Sequence, residues 1–430
     1  MGFAYVRAFQ LVSKKAGATI VQSHLLRFAG AITTGVSEAQ FLVEEARVER
    51  EQYISGYHRS LEALAKWGDA YAALLVSISL VVVVAMISTM LSNLGGTFVM
   101  VLTGATFMVS AFGVYIIHRT APHETKTYQS RGGPKERRWA KRLFCTVVPV
   151  GVLVALFLAY HYGFALFLLV VGFALLPSGV LAWIDNTKIN TLDQEAATFI
   201  RSLGNVTASL GTTLGSALGK LDRRSMGSLE PYIRRLQIRL RRQLAPEKCW
   251  EAFRDEVGSQ LMNRTTRMFV DGVLLGGPPD RVGAIAAEYA MDTALMRSRR
   301  IVAAAPFAFL TFPLHFAMTG LMVFVMEIMR AFNTRIGMAA NQLTSTSGSS
   351  TVAIVQTLPV FQAQDLSMLS NLTMATLLAM TISNALAPKF ALGGHALNAA
   401  LFGGITCLMT GFNMLMIPPV ASGLLDTGPV

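Results

Sequence analysis

Residues 268–325, MFVDGVLLGGPPDRVGAIAAEYAMDTALMRSRRIVAAAPFAFLTFPLHFAMTGLMVFV, join a polar helical segment to an apolar one. The run GGPP at 276–279 breaks the preceding helix, and Asp280 can cap the helix that follows. From there the pattern predicts one helix that passes Arg300 and enters an apolar stretch long enough to cross a bilayer. This part of the sequence therefore predicts a soluble helical segment that is continuous with a membrane span.

Seven apolar windows reach the roughly 20 residues that cross a bilayer as a helix. Charged residues make up only 14% of the chain, against about 25% in soluble proteins, and none lies in these windows. The windows are 71–91, 96–117, 143–161, 163–184, 302–325, 366–387 and 396–417. They predict an all-α, multi-pass membrane protein with about seven spans.

The positive residues follow the alternation of these spans. Four segments fall on the side of the N-terminus: 1–70, 118–142, 185–301 and 388–395. They contain all of the 37 Lys and Arg residues except Arg330 and Arg335. The positive-inside rule makes that side cytoplasmic, so the protein is predicted to lie in the cell membrane with its N-terminus inside and its C-terminus outside.

The spans divide the chain into five predicted regions. These are a cytoplasmic N-terminal helical region (1–70), four spans with a basic loop at 118–142 (71–184), a cytoplasmic helical bundle (185–301, "the insert"), three spans with an outer loop at 330–365 (302–417) and an outer tail (418–430). The net charge of +12 is explained by this topology and by contact with anionic lipid headgroups. Nucleic acid is not predicted as a partner, because no basic groove with interleaved aromatic residues is visible.

The insert is predicted to contain six short amphipathic helices. The first begins at the capping-box pattern of residues 191–194, TLDQ. The third covers about 229–244, with Ile233, Leu236 and Leu240 on its apolar side, and the fifth covers about 264–275. Arg235, Arg239 and Arg242 form a basic stripe on another side of that helix. Together the six helices would form an all-α bundle with its own small core.

No pattern that carries out chemistry is found in the sequence. The run around Lys220 lacks two residues of a phosphate-binding loop, since positions 214 and 221 are both Leu. We therefore expect no enzymatic activity, no cofactor and no metal. His315 lies within the fifth predicted span, where a polar residue is a functional candidate. A neutral His315 bonded to a neighbouring helix is the favoured interpretation, and Asn384 similarly indicates contact between helices.

Several stretches resemble the F domain of type II secretion and type IV pilus platform proteins. They are FIRSLGNVTASLGTTLGSALGKL (199–221), CWEAFRDEVGS (249–259) and residues 268–300, with SLEALAKWGDAYAALLVSISLVVVV (60–84) similar to the junction between the first F domain and first span. The four spans before the insert and three after it resemble the archaellum and archaeal-pilus branch. Region 1–70 would then be a truncated F domain, and the glycine-glutamate-serine-glycine motif of bacterial members is absent.

The resemblance implies an assembly platform without catalytic residues. Its expected partners are a hexameric secretion or assembly ATPase, pilin or archaellin subunits, membrane lipids and further copies of the chain, with a dimer favoured. Basic residues that could dock an acidic ATPase surface are Arg234, Arg235, Arg239, Arg241 and Arg242 in the insert and Arg137, Arg138, Lys141 and Arg142 in the loop. The alternative for both clusters is that their charges only set topology or face lipid.

Two other classes of function are alternatives to a platform. A secondary transporter or channel is the main alternative, but the predicted spans show neither paired charges nor repeated discontinuous helices. A membrane-embedded enzyme would need a polar catalytic cluster near the membrane surface. The sequence does not distinguish an archaellum from an adhesive pilus or a secretion pseudopilus.

Overall fold

The computed structural model describes residues 5–91, 96–128, 133–346 and 366–426. Regular structure in these ranges is helical, apart from an isolated bridge between Thr127 and Ser259. The α-helices are α1 (Tyr5–Lys15), α2 (Thr19–Thr33), α3 (Glu38–Leu91), α4 (Gly96–Thr120), α5 (Lys135–Tyr162), α6 (Phe164–Leu210), α7 (Leu214–Lys220), α8 (Glu230–Arg241), α9 (Pro246–Val257), α10 (Gln260–Leu274), α11 (Pro279–Thr346), α12 (Ser367–Leu392) and α13 (Asn398–Asp426). A 3₁₀ helix, Arg223–Leu229, precedes α8.

Seven of these helices are long and apolar enough to cross a membrane. They are α3, α4, α5, α6, α11, α12 and α13. The prediction of an all-α, multi-pass membrane protein is confirmed. The division into regions and the orientation in the membrane stay predictions.

The chain forms two compact units, Met1–Ser60 and Leu61–Val430. In the first unit, the Phe28 ring packs edge-on against Phe9 at 5.0 Å and lies 5.4 Å from Phe41. Arg27 binds the carboxylates of Glu45 and Glu49. Apolar rings and an ion-pair cluster thus join α1 and α2 to the start of α3.

Helix α6 differs from the prediction for the start of the insert. The capping-box pattern at residues 191–194 does not begin a helix, because α6 continues unbroken from Phe164 to Leu210. The Thr191 hydroxyl donates to the Thr187 carbonyl at 3.3 Å, which is a bond within a helix rather than a cap. Residues 180–203 contain neither Gly nor Pro, so nothing in this stretch ends the helix that leaves the fourth span.

Helix α11 confirms that the last helix of the insert runs on into the fifth span. It also continues to Thr346, past the predicted start of the outer loop 330–365. The residues from 330 to 346 include only one Gly and no Pro, so the helix propagates beyond the apolar stretch. Residues 347–365, with most of the serine- and threonine-rich tip predicted there, lie outside the described residues.

Two other helix bounds differ from the prediction. Helix α10 begins at Gln260 rather than near Arg264, because the Ser259 hydroxyl accepts a hydrogen bond from the Met262 amide at 3.3 Å and caps the helix. The predicted tail from residue 418 is helical as far as Asp426. Both changes lengthen helices at residues that the sequence pattern assigned to loops.

Close packing in the second unit depends on small residues in α6. This helix packs against α5, α11 and α13. A Cβ atom at Gly179 would lie 2.3 Å from the backbone nitrogen of Leu401. Any side chain at position 179 would therefore force α6 and α13 apart, so glycine is required by the close approach of two backbones.

A buried polar cluster links four of the candidate spans. The Tyr71 hydroxyl donates to Asn384 Oδ1 at 2.9 Å, and Asn384 Nδ2 donates to His315 Nδ1 at 2.9 Å. This arrangement leaves the proton on His315 Nε2, which lies 2.9 Å from the hydroxyl of Thr410. A 2.9 Å contact joins the hydroxyls of Thr410 and Thr381. The favoured interpretation of His315 and Asn384, as polar groups that join helices, is thus confirmed.

We expect Asn384→Ala to lower the thermal midpoint of the detergent-solubilised protein. The substitution leaves His315 Nδ1 without its donor and removes the Asn384 acceptor of the Tyr71 hydroxyl, and an unpaired buried polar group costs about 1–3 kcal/mol. Tyr71→Phe removes only the donor at the end of the chain and should cost less. The exposed Asn205→Ala is the matched control, and an Asn384→Ala midpoint equal to that of the control would show that the cluster does not stabilise the fold.

Candidate functional site

The insert has an aromatic core between α6 and the helices that follow it. The Phe253 ring lies 5.8 Å from Phe199 and 5.9 Å from Trp250, and all three side chains are buried with Phe269. Burying large aromatic side chains supplies most of the stability of a small core. These helices therefore share a buried apolar cluster, although the first and last of them are extensions of candidate spans.

Helices α6 and α11 approach each other closely in this part of the insert. A Cβ atom at Gly204 would lie 2.5 Å from the Pro279 carbonyl oxygen and 3.1 Å from the Gly283 Cα. The two backbones are thus in near contact, with no side chain between them that could change its rotamer. The insert is connected to the spans by two tightly packed continuous helices.

Arg137 ties α5 to α6 and to the turn between α9 and α10. Its Nε donates to Asp185 Oδ2 at 3.0 Å, and the other guanidinium nitrogens donate to the carbonyl oxygens of Tyr128 (2.7 Å) and Gly258 (3.0 Å). Arg137 is only 4% exposed and Asp185 only 1%. All three guanidinium nitrogens donate hydrogen bonds within the chain, so Arg137 joins α5 to Asp185, Tyr128 and Gly258.

Arg297 on α11 binds carboxylates from two other segments. Its guanidinium pairs with Asp193 on α6 and with Glu124 in the loop between α4 and α5. The hydroxyl of Ser259 donates to Asp193 as well. Asp193 and Arg297 are buried, so each charge depends on the other for compensation.

Arg300, one turn further along α11, binds three carbonyl oxygens. They belong to Ala391 at 3.0 Å, Phe390 at 2.8 Å and Pro122 at 2.7 Å. The first two are the last carbonyl groups of α12, which helices leave without intrahelical partners. We call Arg137, Asp185, Asp193, Arg297 and Arg300 the junction, because these side chains join the insert to the ends of the spans.

The loop between α4 and α5 is held against the insert by its backbone. The Gln260 amide donates to the Lys126 carbonyl at 3.0 Å, and the Tyr128 amide donates to the Gly258 carbonyl at 2.9 Å. Burial, followed by the positive charge of Arg297, lowers the pKa of Lys126 to about 8, although Asp193 and Glu124 act in the opposite direction. The loop thus places Lys126 where burial and the neighbouring Arg297 disfavour its positive charge.

The basic residues of α8 are not equivalent in the structure. Arg235 donates to Glu256 at 2.8 Å, and Arg239 pairs with the same carboxylate. Burial opposes ionisation of Glu256, but the hydrogen bonds from Arg239 and Arg235 outweigh it and lower the pKa of its carboxyl group. The predicted stripe of Arg235, Arg239 and Arg242 is therefore partly neutralised by a single carboxylate.

Arg234, Arg241 and Arg242 are exposed and form no ion pair with the described residues. Their guanidinium groups are available to a partner, because Glu256 pairs only with Arg235 and Arg239. These three arginines are the strongest docking candidates among the five that the sequence indicated in the insert. Their role in docking stays a prediction.

The four candidates near the start of α5 also separate into two kinds. Arg138, Lys141 and Arg142 are exposed, and the Arg142 guanidinium lies 5.7 Å from the ring centre of Trp139. Arg137 is buried and bound as described, so it cannot contact a partner in this structure. We correct its assignment from a docking residue to a residue that positions α5 against the insert.

The sequence interpretation missed the residues that join the insert to the spans. Asp185, Asp193, Arg297 and Arg300 were used only to mark boundaries and to count charge. One signal in the sequence could have indicated them: Asp185 and Asp193 are acidic residues near the start of a strongly basic segment. Within the described residues, no group of three or more His, Cys, Asp or Glu side chains is arranged to hold a metal ion.

The fold and the junction define a class: a multi-pass α-helical membrane protein whose helical insert is tied to its candidate spans by continuous helices and buried ion pairs. Two curated proteins are similar to this chain in sequence. The chain is 24% identical over 300 residues to Flagella accessory protein J of Methanocaldococcus jannaschii, which covers 66% of this chain and 53% of the relative. It is 25% identical over 273 residues to Flagella accessory protein J of Methanococcus voltae, covering 58% and 47%.

The aligned region therefore spans about half the length of these relatives. The similarity supports a relationship to archaellum and type IV pilus platform proteins. No protein-family profile matches the chain, and no solved structure matches it. The detailed likeness of the insert to an F domain stays a prediction.

We expect Arg297→Met to destabilise the protein by about 3–5 kcal/mol, because it leaves a buried carboxylate without its partner. The double variant Arg297→Met/Asp193→Leu should recover part of this loss, since it removes both buried charges. Thermal and denaturant unfolding of the four proteins of the cycle measures the coupling. The exposed Arg235–Glu256 pair is the control cycle, with an expected coupling of about 0–1 kcal/mol; additive effects at Arg297 and Asp193 would refute a coupled junction.

Lys126→Met should stabilise the protein at pH 7 and have less effect at pH 10. The folded-state pKa of Lys126 is about 8, below the ordinary 10.5, so the unfolded chain binds more protons between these values and stability rises with pH. Below pH 8 the full cost of the buried charge remains, and its removal should contribute about 1–3 kcal/mol. The exposed Lys220→Met is the control, and a difference from wild type that is independent of pH would contradict the assignment.

Proposed function

We propose that this chain is the membrane platform of an archaellum-like or type IV pilus-like filament machine and that it couples a cytoplasmic hexameric ATPase to the assembly of archaellin or pilin subunits. The proposal is supported by the similarity to two proteins named Flagella accessory protein J and by the seven candidate spans. It agrees with the resemblance of the insert to F domains. A type II secretion machine is a variant of the same proposal.

The continuity of α6 and α11 is the observation that carries the mechanical part of the proposal. Helix α11 contains 68 residues and, at 1.5 Å per residue, is about 100 Å long. It shares the near contact of Gly204 and Gly283 with α6, and both helices lead into candidate spans. A force applied to the insert would therefore move two spans directly, without a flexible linker that could absorb the displacement.

The junction makes this connection stiffer. Arg297 holds α6, α11 and the loop between α4 and α5 together, and Arg300 binds the end of α12. A rotation or displacement of the insert would thus be passed to several spans together. We propose that ATPase motion uses this connection to move the spans beneath the growing filament.

The exposed arginines of the insert are the proposed contact with the ATPase. Arg234, Arg241 and Arg242 are the principal candidates. Arg235 and Arg239 contribute less, because the carboxylate of Glu256 neutralises part of their combined positive charge. Arg138, Lys141 and Arg142 form a second surface, where contact with lipid headgroups competes with docking. The proposal places all of these residues in the cytoplasm, with further copies of the chain, filament subunits and lipids as the other partners.

We expect the triple variant Arg234→Glu/Arg241→Glu/Arg242→Glu to lose the ATPase from purified native complexes. Reversing three exposed charges against an acidic partner should weaken the complex roughly tenfold or more, and association of the wild type should weaken with salt. Affinity purification in mild detergent with quantitative mass spectrometry measures the amount of ATPase retained. Thermal midpoints show whether the variant is folded.

The triple variant Arg201→Glu/Arg264→Glu/Arg267→Glu provides a matched control, because it makes the same change in net charge at exposed positions elsewhere on the insert. Equal loss of the ATPase in both variants would indicate a general charge effect instead of this docking surface. If the wild-type protein retains neither an assembly ATPase nor filament subunits after cross-linking, the platform proposal fails. Flux measurements in proteoliposomes would then test a transporter or channel.

A further inference from the structure

An apolar groove of about 620 Å³ lies between α6, α7, α8, α9, α10 and α11. Its walls include Leu214, Leu240, Trp250, Val273 and Leu274. Helices α6 and α11 connect the insert to the spans. The groove is lined by the ends of these helices that lie away from the spans: the turn that follows Leu210 at the end of α6, and Pro279 at the start of α11. The groove is therefore at the end of the insert that is farthest from the spans.

Large apolar side chains remain exposed around this groove. Leu274, which lines it, is 70% exposed, while Leu275 at the end of α10 and Leu244 between α8 and α9 are 88% and 52% exposed. Exposed apolar side chains beside an apolar groove indicate a place where another molecule binds. Lipid is a poor candidate for that molecule, because the spans leave the insert at its other end.

The charges beside the groove define what could occupy it. Arg241 and Arg242 directly follow the lining residue Leu240 on the α8 side, and Lys248 follows Glu247, the charged residue in the lining. All three cations are exposed. The α8–α9 side thus presents a net positive edge to the occupant.

The opposite edge of the groove has a mixed charge. Asp271 follows the lining residue Val270, Asp280 follows Pro279, and Arg281 comes next. An occupant with acidic residues along one side only would therefore complement the groove in one orientation, with that side facing α8 and α9. The difference in charge between the two edges of the groove therefore favours an occupant with one acidic side and favours one orientation of that occupant.

We propose that this groove binds an amphipathic helix of the assembly ATPase, with its apolar face in the groove and its acidic residues against Arg241, Arg242 and Lys248. This mode of binding is known for helices that place residues at i, i+3, i+4 and i+7 in a hydrophobic groove. The inference rests on the proposed function and makes it more specific: apolar side chains anchor the ATPase, and the arginines orient it. Docking occurs at the tip of the two long helices, where a displacement of the insert has the greatest leverage on the spans.

Two substitutions in the full-length protein test the groove without altering its positive charges. Gly215→Leu fills it, because a Cβ at Gly215 meets only the Leu240 Cβ at 3.7 Å. Leu274→Asp places a charge on an exposed lining residue and leaves the core unchanged. Each should reduce ATPase retention about tenfold, the effect expected for losing one buried leucine anchor. Ser209→Leu, exposed and outside the lining, is the control and should retain the ATPase.

A photo-reactive phenylalanine analogue at position 274 identifies the occupant in native membranes. The expected product joins position 274 to an ATPase segment in which apolar residues at helical spacing are flanked by Asp or Glu. A product with a second copy of this chain, or with lipid, would overturn the proposal. Wild-type retention in Gly215→Leu and Leu274→Asp would also overturn it, while loss only in the arginine variant would keep the platform function and reject the groove.

Discussion

Arg297 binds two carboxylates that come from separate parts of the chain, the buried Asp193 and the partly exposed Glu124. Asp193 belongs to the helix that enters the insert, Glu124 belongs to the loop after the second span, and Arg297 lies on the helix that leaves the insert. Buried ion pairs contribute little net stability compared with apolar groups of the same shape. Their effect is on specificity, because any arrangement that separates these three segments leaves a buried charge without compensation.

The polar cluster within the spans and the junction differ in a way that suits their surroundings. Within the spans, Tyr71, Asn384, His315 and Thr410 form a chain of neutral hydrogen bonds. At the junction, charged side chains bind one another and the free carbonyl groups at the end of α12. Full charges are costly in hydrocarbon, so the neutral cluster can join helices inside the membrane and the charged cluster can join them only where the spans end.

The sequence predicted the spans and α11 because those features are local. Bilayer-length windows without charge define the seven spans, and the break at 276–279 followed by an unbroken pattern defines α11. Helix α6 was divided incorrectly because TLDQ is a good capping box by composition, while the choice between a cap and a continuing helix depends on the residues that pack against it. Asp193 and Arg297 pair across 104 positions, and no local pattern indicates such a contact.

The candidate site shows the same limit at the level of single residues. Arg137 and Arg138 are neighbours in one basic run, yet Arg137 is buried with Asp185 and Arg138 is exposed. Similarly, Glu256 binds Arg235 and Arg239 and leaves Arg234, Arg241 and Arg242 without ion pairs in the described part of the chain. A charge count treats these residues alike, because it contains no information on which cations are already neutralised within the protein. Recognition of a partner depends on the charges that remain after folding. In the insert two of them, Arg241 and Arg242, directly follow Leu240, which lines an apolar groove that the sequence pattern did not reveal.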